Sequence, residues 1–381
     1  MNNLLYWKKI NTMKKIFTLL ALTIGFSMNA QLTAVTEGDN TGQRLTTSNS
    51  SNHGDIGDKA VDLSISGSSS STNGATGEYS ISMGRSTIAS GINSTSMGIY
   101  TTASGNYSTA MGRATIASGT YSTAIGRSAE ATGDYSTAMG YYTTASAQSS
   151  TAMGYYTTAS GDVSTAMGSY TTANGYASTA MGRSTNANGN YSTAMGYFTT
   201  ASDYASTVIG QYNSSGSSAT SAYSFSTSAP AFVIGNGTAS NAKSDAFKVM
   251  FNGDATVSND LTVSGDVVVS SDARLKSNIV SLGSTLSRLL LIDGKSYEMK
   301  GKQKIGVLAQ DIKEVFPELV SEDANEMLAV NYQGLVPVLI NALKEQDGKI
   351  KEQQSEIEIL KQQQAEIDEL KEMVNQLISS K

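Results

Sequence analysis

Between residues 80 and 212 the polar and apolar positions follow one motif that recurs every 14 residues without an insertion. Met or Ile precedes Gly at 84, 98, 112, 126, 140, 154, 168, 182, 196 and 210. Four positions before each of these glycines stands Ser, from Ser80 to Ser206, and five positions after stands Ala, from Ala89 to Ala201. A second Gly follows seven positions after the first in all but two units, where Ala147 and Asp203 replace it. The unit reads Y-S-T-A-M-G-x-x-T-x-A-x-G-x, two seven-residue halves. Two heptads of coiled coil would also repeat every 14, but a helix loses about 1 kcal/mol at each Gly, and Ser, Thr and Tyr restore nothing. Inside each half the alternation has period two: Ser108, Ala110 and Gly112 point to one side of a strand, and Thr, Met or Tyr to the other. The Gly closing each half is expected to supply the positive φ of a tight corner. The pattern predicts a mostly β chain built on a β-solenoid of two short strands per coil, with room inside only for Ser, Ala and Gly. At ~4.8 Å per coil, the nine full periods make a rod of roughly 45 Å.

Outside this stretch the patterning changes. Residues 31–75 show no clear period and read as an irregular N-terminal segment. The repeats occupy 76–212, and a Ser-rich linker and β neck follow over 213–270. Strand-like runs at 231–235, 246–251, 256–257, 261–263 and 267–269 are separated by turn pairs such as Asn252-Gly253 and Gly265-Asp266. Segments 305–320 and 327–345 read as a strand and helices, part of a small α+β domain over 271–340. Leu343, Ile350, Ile357, Leu360, Ile367 and Val374 then fall near heptad spacing, with Leu370 and Leu377 marking a three-residue slip, so 341–381 is expected to form a coiled coil.

Composition narrows the chemistry. The 381 residues include 36 Gly, one His, one Trp and no Cys, so thiol catalysis, Cys-based zinc sites and disulfides are excluded, and neither a cofactor nor a metal site is expected. His53, Asp55, Asp58 and Asp62 lie close in sequence, but acids on a polar loop are normally solvated, and they are not read as a cation site. The net charge of -6 leaves no basic stripe for nucleic acid. Charge is concentrated at the C-terminal end: residues 271–381 hold 14 basic and 18 acidic groups, against 8 and 14 in residues 31–270. Residues 1–30 hold four Lys and no acid, and Lys14 and Lys15 precede an apolar run over 16–26 that ends in Ser27-Met28-Asn29-Ala30. This is the layout of a secretory signal peptide. The run is shorter than the ~20 residues of a spanning helix. The mature chain is thus expected to begin near Gln31, without a membrane span, and to be secreted or held at the cell surface.

The repeats themselves, S-x-A-x-G followed by x-x-A-x-G in ten in-register copies, resemble the head repeats of YadA-type trimeric adhesins over about 74–215. That resemblance implies a left-handed parallel β-roll in which three identical chains pack side by side, burying the outward Met, Ile and Tyr. It also implies adhesion to a host-surface protein or glycan, although a plain spacer explains the repeats equally well. The chain departs from those adhesins in having no recognisable β-barrel anchor at its C-terminus, so export and anchoring by that route are not expected. A Thr ladder at 102, 144, 158, 172 and 200 suggests ice binding, but Ile88, Ile116, Glu130 and Asn186 interrupt it.

At 270–276 the sequence Ser-Ser-Asp-Ala-Arg-Leu-Lys opens a second motif set. It continues with Lys304-Ile305-Gly306-Val307-Leu308-Ala309-Gln310-Asp311, Val315-Phe316-Pro317-Glu318-Leu319-Val320 and Leu328-Ala329-Val330-Asn331-Tyr332. This ordered set resembles the C-terminal intramolecular chaperone of phage endosialidases and tailspikes, a self-cleaving serine peptidase family with a Ser/Lys dyad. The resemblance implies Ser271 and Lys276 as the dyad and the bond between Ser270 and Ser271 as the cut; Asp272 and Arg274, which lie between the two, are expected to orient the loop. A Ser hydroxyl attacks the preceding carbonyl if a base takes its proton, and Lys is a base only when neutral. Lowering a lysine pKa from ~10.4 to ~7.5 costs ~4 kcal/mol, which burial must supply. A spacing of five puts the two side chains on opposite faces of a strand, so a bend or a neighbouring chain must join them. The reading is an exported, homotrimeric fibrous protein whose last domain aligns the trimer and then releases itself. Its rival is a static surface adhesin or spacer with an uncleaved trimerisation domain.

Overall fold

The computed structural model describes residues 32–323 and 326–380, so the expected signal peptide lies outside the described residues. The described chain divides into two compact units, one running to Ser264 and one from Gly265.

The first unit is a parallel β-solenoid. Each 14-residue coil contributes a five-residue strand to a 16-stranded sheet and a two-residue strand to a 10-stranded sheet. Registers are exact from coil to coil: Thr137 pairs with Thr151, Ala138 with Ala152, Met139 with Met153 and Gly140 with Gly154. Identity of neighbours follows from the period, since a shift of one residue would turn the whole small-residue face outward. The core between the sheets is a file of alanines from Ala103 to Ala201, closed at one end by Val208 and Val233, all fully buried. Beside it run fully buried Ser and Thr files, such as Ser122 and Thr157.

The two glycines of the unit have different jobs. Glycines at 84, 98, 112 and onward have φ between +93 and +135, and an added methyl there would overlap the carbonyl oxygen of the glycine in the next coil. The second series, Gly91, Gly105, Gly119 and their successors, was expected to supply positive φ and does not. Those glycines are favoured by close approach: a Cβ there would strike the next coil's backbone, and only Ala147 and Asp203 depart from glycine. The left-handed corners fall instead on non-glycine residues, among them Tyr107, Tyr121, Tyr142, Tyr156 and Val163, with φ of 50 to 60.

Residues 32–75, expected to be irregular, extend the same sheets. Strands Val61–Ile65 and Gly74–Ala75 pair in parallel with the first repeat, and the antiparallel hairpin Leu32–Glu37 with Asn40–Leu45 covers that end. Beyond Thr207–Gln211, strand Pro230–Asn236 adds in parallel, and Asp245–Met250 and Ala255–Val257 turn antiparallel. Hairpins at both ends cover edges that would otherwise invite further strands. The strands expected at 261–263 and 267–269 are not formed; both segments are exposed and irregular.

In the second unit, two hairpins, Lys295–Met299 with Lys302–Gly306 and Val320–Glu322 with Leu328–Val330, surround helices α1 (Leu286–Leu289) and α2 (Ala309–Val315). Helix α3 runs Leu335–Ser379. Ile312, Phe316 and Val338 form the core, with Leu289, Val307, Leu319 and Val330 packed on it. Glu345 of α3 caps α1: its carboxylate accepts from Ser284 Oγ at 2.7 Å and from the backbone N–H groups of Thr285 and Leu286. The Ser284 hydroxyl and these N–H groups hold that carboxyl below its usual range. Past the core, Ile350, Ile357, Ile367 and Val374 of α3 are exposed along one chain. Among the described residues no helix is long and apolar enough to cross a membrane.

Candidate functional site

The residues from 271 to 276 are joined by local structure. Asp272 caps the single 3-10 turn Ala273–Leu275: its carboxylate accepts from the Arg274 N–H at 2.9 Å, and Lys276 N–H donates to Ala273 O at 3.1 Å. The Arg274 guanidinium closes on the same carboxylate at 2.7 Å. That guanidinium, then the backbone N–H, hold the Asp272 carboxyl below its usual range. The turn reverses the chain enough for Lys276 Nζ to donate to Ser271 Oγ at 2.7 Å. The bend that a spacing of five requires is therefore supplied within one chain, by Asp272 and Arg274. All four side chains are exposed in the single chain.

Chemically, this pair places an amine within proton-transfer reach of a hydroxyl, the geometry expected of a general base and its nucleophile. Ser270 precedes it in an exposed apolar stretch, Val267, Val268 and Val269.

The first unit holds a polar cluster that the sequence reading missed. Asp62, expected to be solvated, is fully buried, as are Arg44 and His53. Asp62 Oδ2 lies 3.0 Å from His53 Nδ1 and 3.4 Å from Arg44 Nε, while Ser64 Oγ donates to Oδ1 at 2.6 Å. Arg44 also grips Glu37 at 2.7 Å and Gly54 O at 2.9 Å. Burial pushes the Asp62 carboxyl up, but the hydrogen bonds from His53 and Ser64 outweigh it, leaving the net below the usual 3.8. Gly74 makes room, since a methyl there would overlap Asp62. Asp55 remains exposed and Asp58 half-buried. The available signal was Asp62 itself, which sits in the strand where later coils place Ser or Ala.

A second buried acid, Asp203, replaces the corner glycine of the last regular coil and accepts from the N–H groups of Thr220 and Ser221, fastening the Ser-rich loop.

The outer surface of the coils is aromatic. Tyr107, Tyr121 and Tyr135 stack at 4.7 and 5.2 Å along one corner, and Tyr142, Tyr156 and Tyr170 at 4.9 and 5.3 Å along the other.

Comparison with family models agrees with both halves of this description. Residues 75–98, 89–115, 117–143, 145–171, 173–199 and 187–213 match the YadA head domain repeat, and residues 271–321 match the chaperone of endosialidase. No curated protein matches the chain. The parallel β-solenoid is thus similar to YadA-type head repeats, and the segment from Ser271 is similar to the chaperone of endosialidase.

Proposed function

We propose that this is an exported, homotrimeric surface fibre whose C-terminal unit aligns three chains and then cuts itself away between Ser270 and Ser271. The observation that carries the cleavage is the 2.7 Å contact of Lys276 Nζ with Ser271 Oγ, at the residue where the match to the chaperone of endosialidase begins. Lys276 takes the hydroxyl proton as Ser271 Oγ attacks the carbonyl carbon of Ser270. The C–N bond breaks, the proton passes to the Ser271 nitrogen, and an ester remains. Water hydrolyses the ester to a C-terminal carboxylate on Ser270 and a free hydroxyl on Ser271. A lysine accepts a proton near neutral pH only where its ammonium is desolvated. In this reading the neighbouring chains supply that cover, and the cut waits for assembly.

Trimerisation is supported by the head-repeat match and by the unpartnered apolar stripe of α3, which three copies would bury against each other. The role is a single intramolecular proteolysis in the service of adhesion to a host-surface protein or glycan, with no external substrate.

Intact mass of the purified protein tests the cut. Wild type is expected to yield two fragments parting at residue 270, and Ser271→Ala and Lys276→Met a single uncut chain. A wild type of full mass after trimer formation refutes the peptidase. The exposure of both side chains in the single chain would then favour the second reading, a static adhesin or spacer with an uncleaved trimerisation domain.

A further inference from the structure

Coils between residues 76 and 212 contain four cations, Arg85, Arg113, Arg127 and Arg183, and all four occupy one register position, directly after the strand glycine. Each is the last residue of its long strand, at the corner leading into the short strand. Of the five acids, Glu78, Asp134 and Asp162 share a different position, directly after the second glycine, at the corner leading back to the long strand. Glu130 lies on a short strand, and Asp203 is buried in the last coil. Cations and corner acids therefore line opposite edges of the solenoid.

Each edge embeds its charges in tyrosine. Tyr121 and Tyr135 flank the acid edge, 49% and 57% exposed, and Tyr142 and Tyr170 the arginine edge, 42% and 50% exposed. The Arg127 guanidinium lies 5.2 Å from the Tyr141 ring and that of Arg183 5.6 Å from Tyr197. Arg and Tyr are the side chains enriched at protein–protein interfaces.

Closure of three copies around an axis requires a heterologous contact, in which one patch meets a different patch on the next copy. A two-fold contact between like edges would set arginine against arginine. We infer that the arginine edge of one copy docks on the acid edge of the next, with the tyrosine files sealing the ion pairs between them; this rests on the trimeric reading above. The order along the axis agrees. Arg127 ends a long strand and Asp134 stands at the next corner, so copies at equal height bring the two within about one coil rise, ~4.8 Å, along the axis.

The chain has no Cys, which makes a directed cross-link clean. Thr120 occupies the acid-edge position one coil before Asp134, and its hydrogen bond to Asp134 uses only the Thr120 backbone N–H. The full-length chain carrying Arg127→Cys and Thr120→Cys is treated with a short bismaleimide and run on a denaturing gel, with Arg113→Cys plus Thr120→Cys as a second pair. Covalent trimers are expected from both double variants, and none from any single variant. Dimers from a single variant would overturn the inference, since like edges would then meet. So would the absence of trimers from both pairs while light scattering finds a trimer, which would leave the edges to another partner such as an anionic glycan. A monomer by light scattering in the unsubstituted chain defeats the trimeric reading itself.

Discussion

The same substitution should have opposite effects at two positions of one buried file. Three residues after the strand glycine stands a fully buried Thr, as at Thr101 and Thr157, in every coil but those that place Ala129 and Asn213 there. In the coils where the facing position is Ser, the hydroxyls pair: Ser82 with Thr87 and Ser96 with Thr101, both at 2.7 Å. Where that position is Ala, the hydroxyls of Thr115, Thr143, Thr157, Thr171, Thr185 and Thr199 are buried without a partner. An unmade hydrogen bond at a buried hydroxyl costs about 1–3 kcal/mol, whereas a made one contributes about 1 kcal/mol net. Thr157→Val removes an orphan hydroxyl while keeping the shape and is expected to stabilise the solenoid by about 1 kcal/mol. Thr101→Val removes a partnered one and is expected to destabilise it by about 1 kcal/mol, because Ser96 keeps only its bond to Thr101 O at 3.0 Å. Ala152→Ser should rescue the orphan and couple to Thr157 in a double-mutant cycle by about 1 kcal/mol. Because coils stack as nearly independent neighbours, the readout is local: hydrogen exchange of amides in residues 150–175, alongside denaturant midpoints of the full chain. Equal signs at 101 and 157, or a destabilising Ala152→Ser, would refute the reasoning by showing that space rather than hydrogen bonding limits this file.

Three other predictions are smaller. Val163 is a β-branched residue held at φ 60, where the coil five repeats earlier uses Asn93 at φ 55, so Val163→Asn should raise the melting temperature by relieving about 1 kcal/mol of strain. Asp203→Ala should strand the N–H groups of Thr220 and Ser221 and release the loop, seen as new proteolytic cuts over 214–228 while the coils below stay protected. The depressed Asp62 carboxyl stabilises the folded state wherever it is ionised in both states, so its contribution is complete above the ordinary 3.8 and lost as pH falls through its lower folded value. Protection of the 44–64 region from exchange should accordingly hold between pH 7 and 4 in wild type; early loss in that window would show that another group governs it.

What the sequence disclosed followed from repetition. The period and the Ser/Ala alternation identify two strands per coil, because a narrow interior leaves no other use for files of small residues. The heptad stripe of α3 was legible too, and the motif set singled out Ser271 and Lys276, although their spacing gives no account of how the two side chains come into contact. The capping of a one-turn helix by Asp272 supplies that account, and it depends on a local hydrogen bond that no periodicity reveals. The cluster of Asp62, His53 and Arg44 escaped because it occurs once, and an isolated acid in a polar segment looks the same whether solvated or buried. The positive φ expected of the glycines holds for the series at 84 to 210 but not for the series at 91 to 189, where close stacking of backbones favours glycine and the left-handed corner falls on tyrosine and other residues.

That stacking of glycine backbones makes the solenoid a ruler with discrete graduations. Between Gly84 and Gly210 a coil of 13 or 15 residues would slide Cβ atoms into the neighbouring carbonyls, so inside the repeats length is gained or lost in whole units of 14, and the longer spacings, Ser64 to Gly84 and Gly210 to Gly235, fall at the two ends. The irregular Ser-rich loop lies between Gly210 and its in-register partner Gly235, beyond Thr200–Ala201, the last of the short strands, where no further short strand stacks on it. Reach from a surface could therefore be adjusted by duplicating coils, each adding ~4.8 Å, while the edges, the stripe and the terminal hairpins stay as they are.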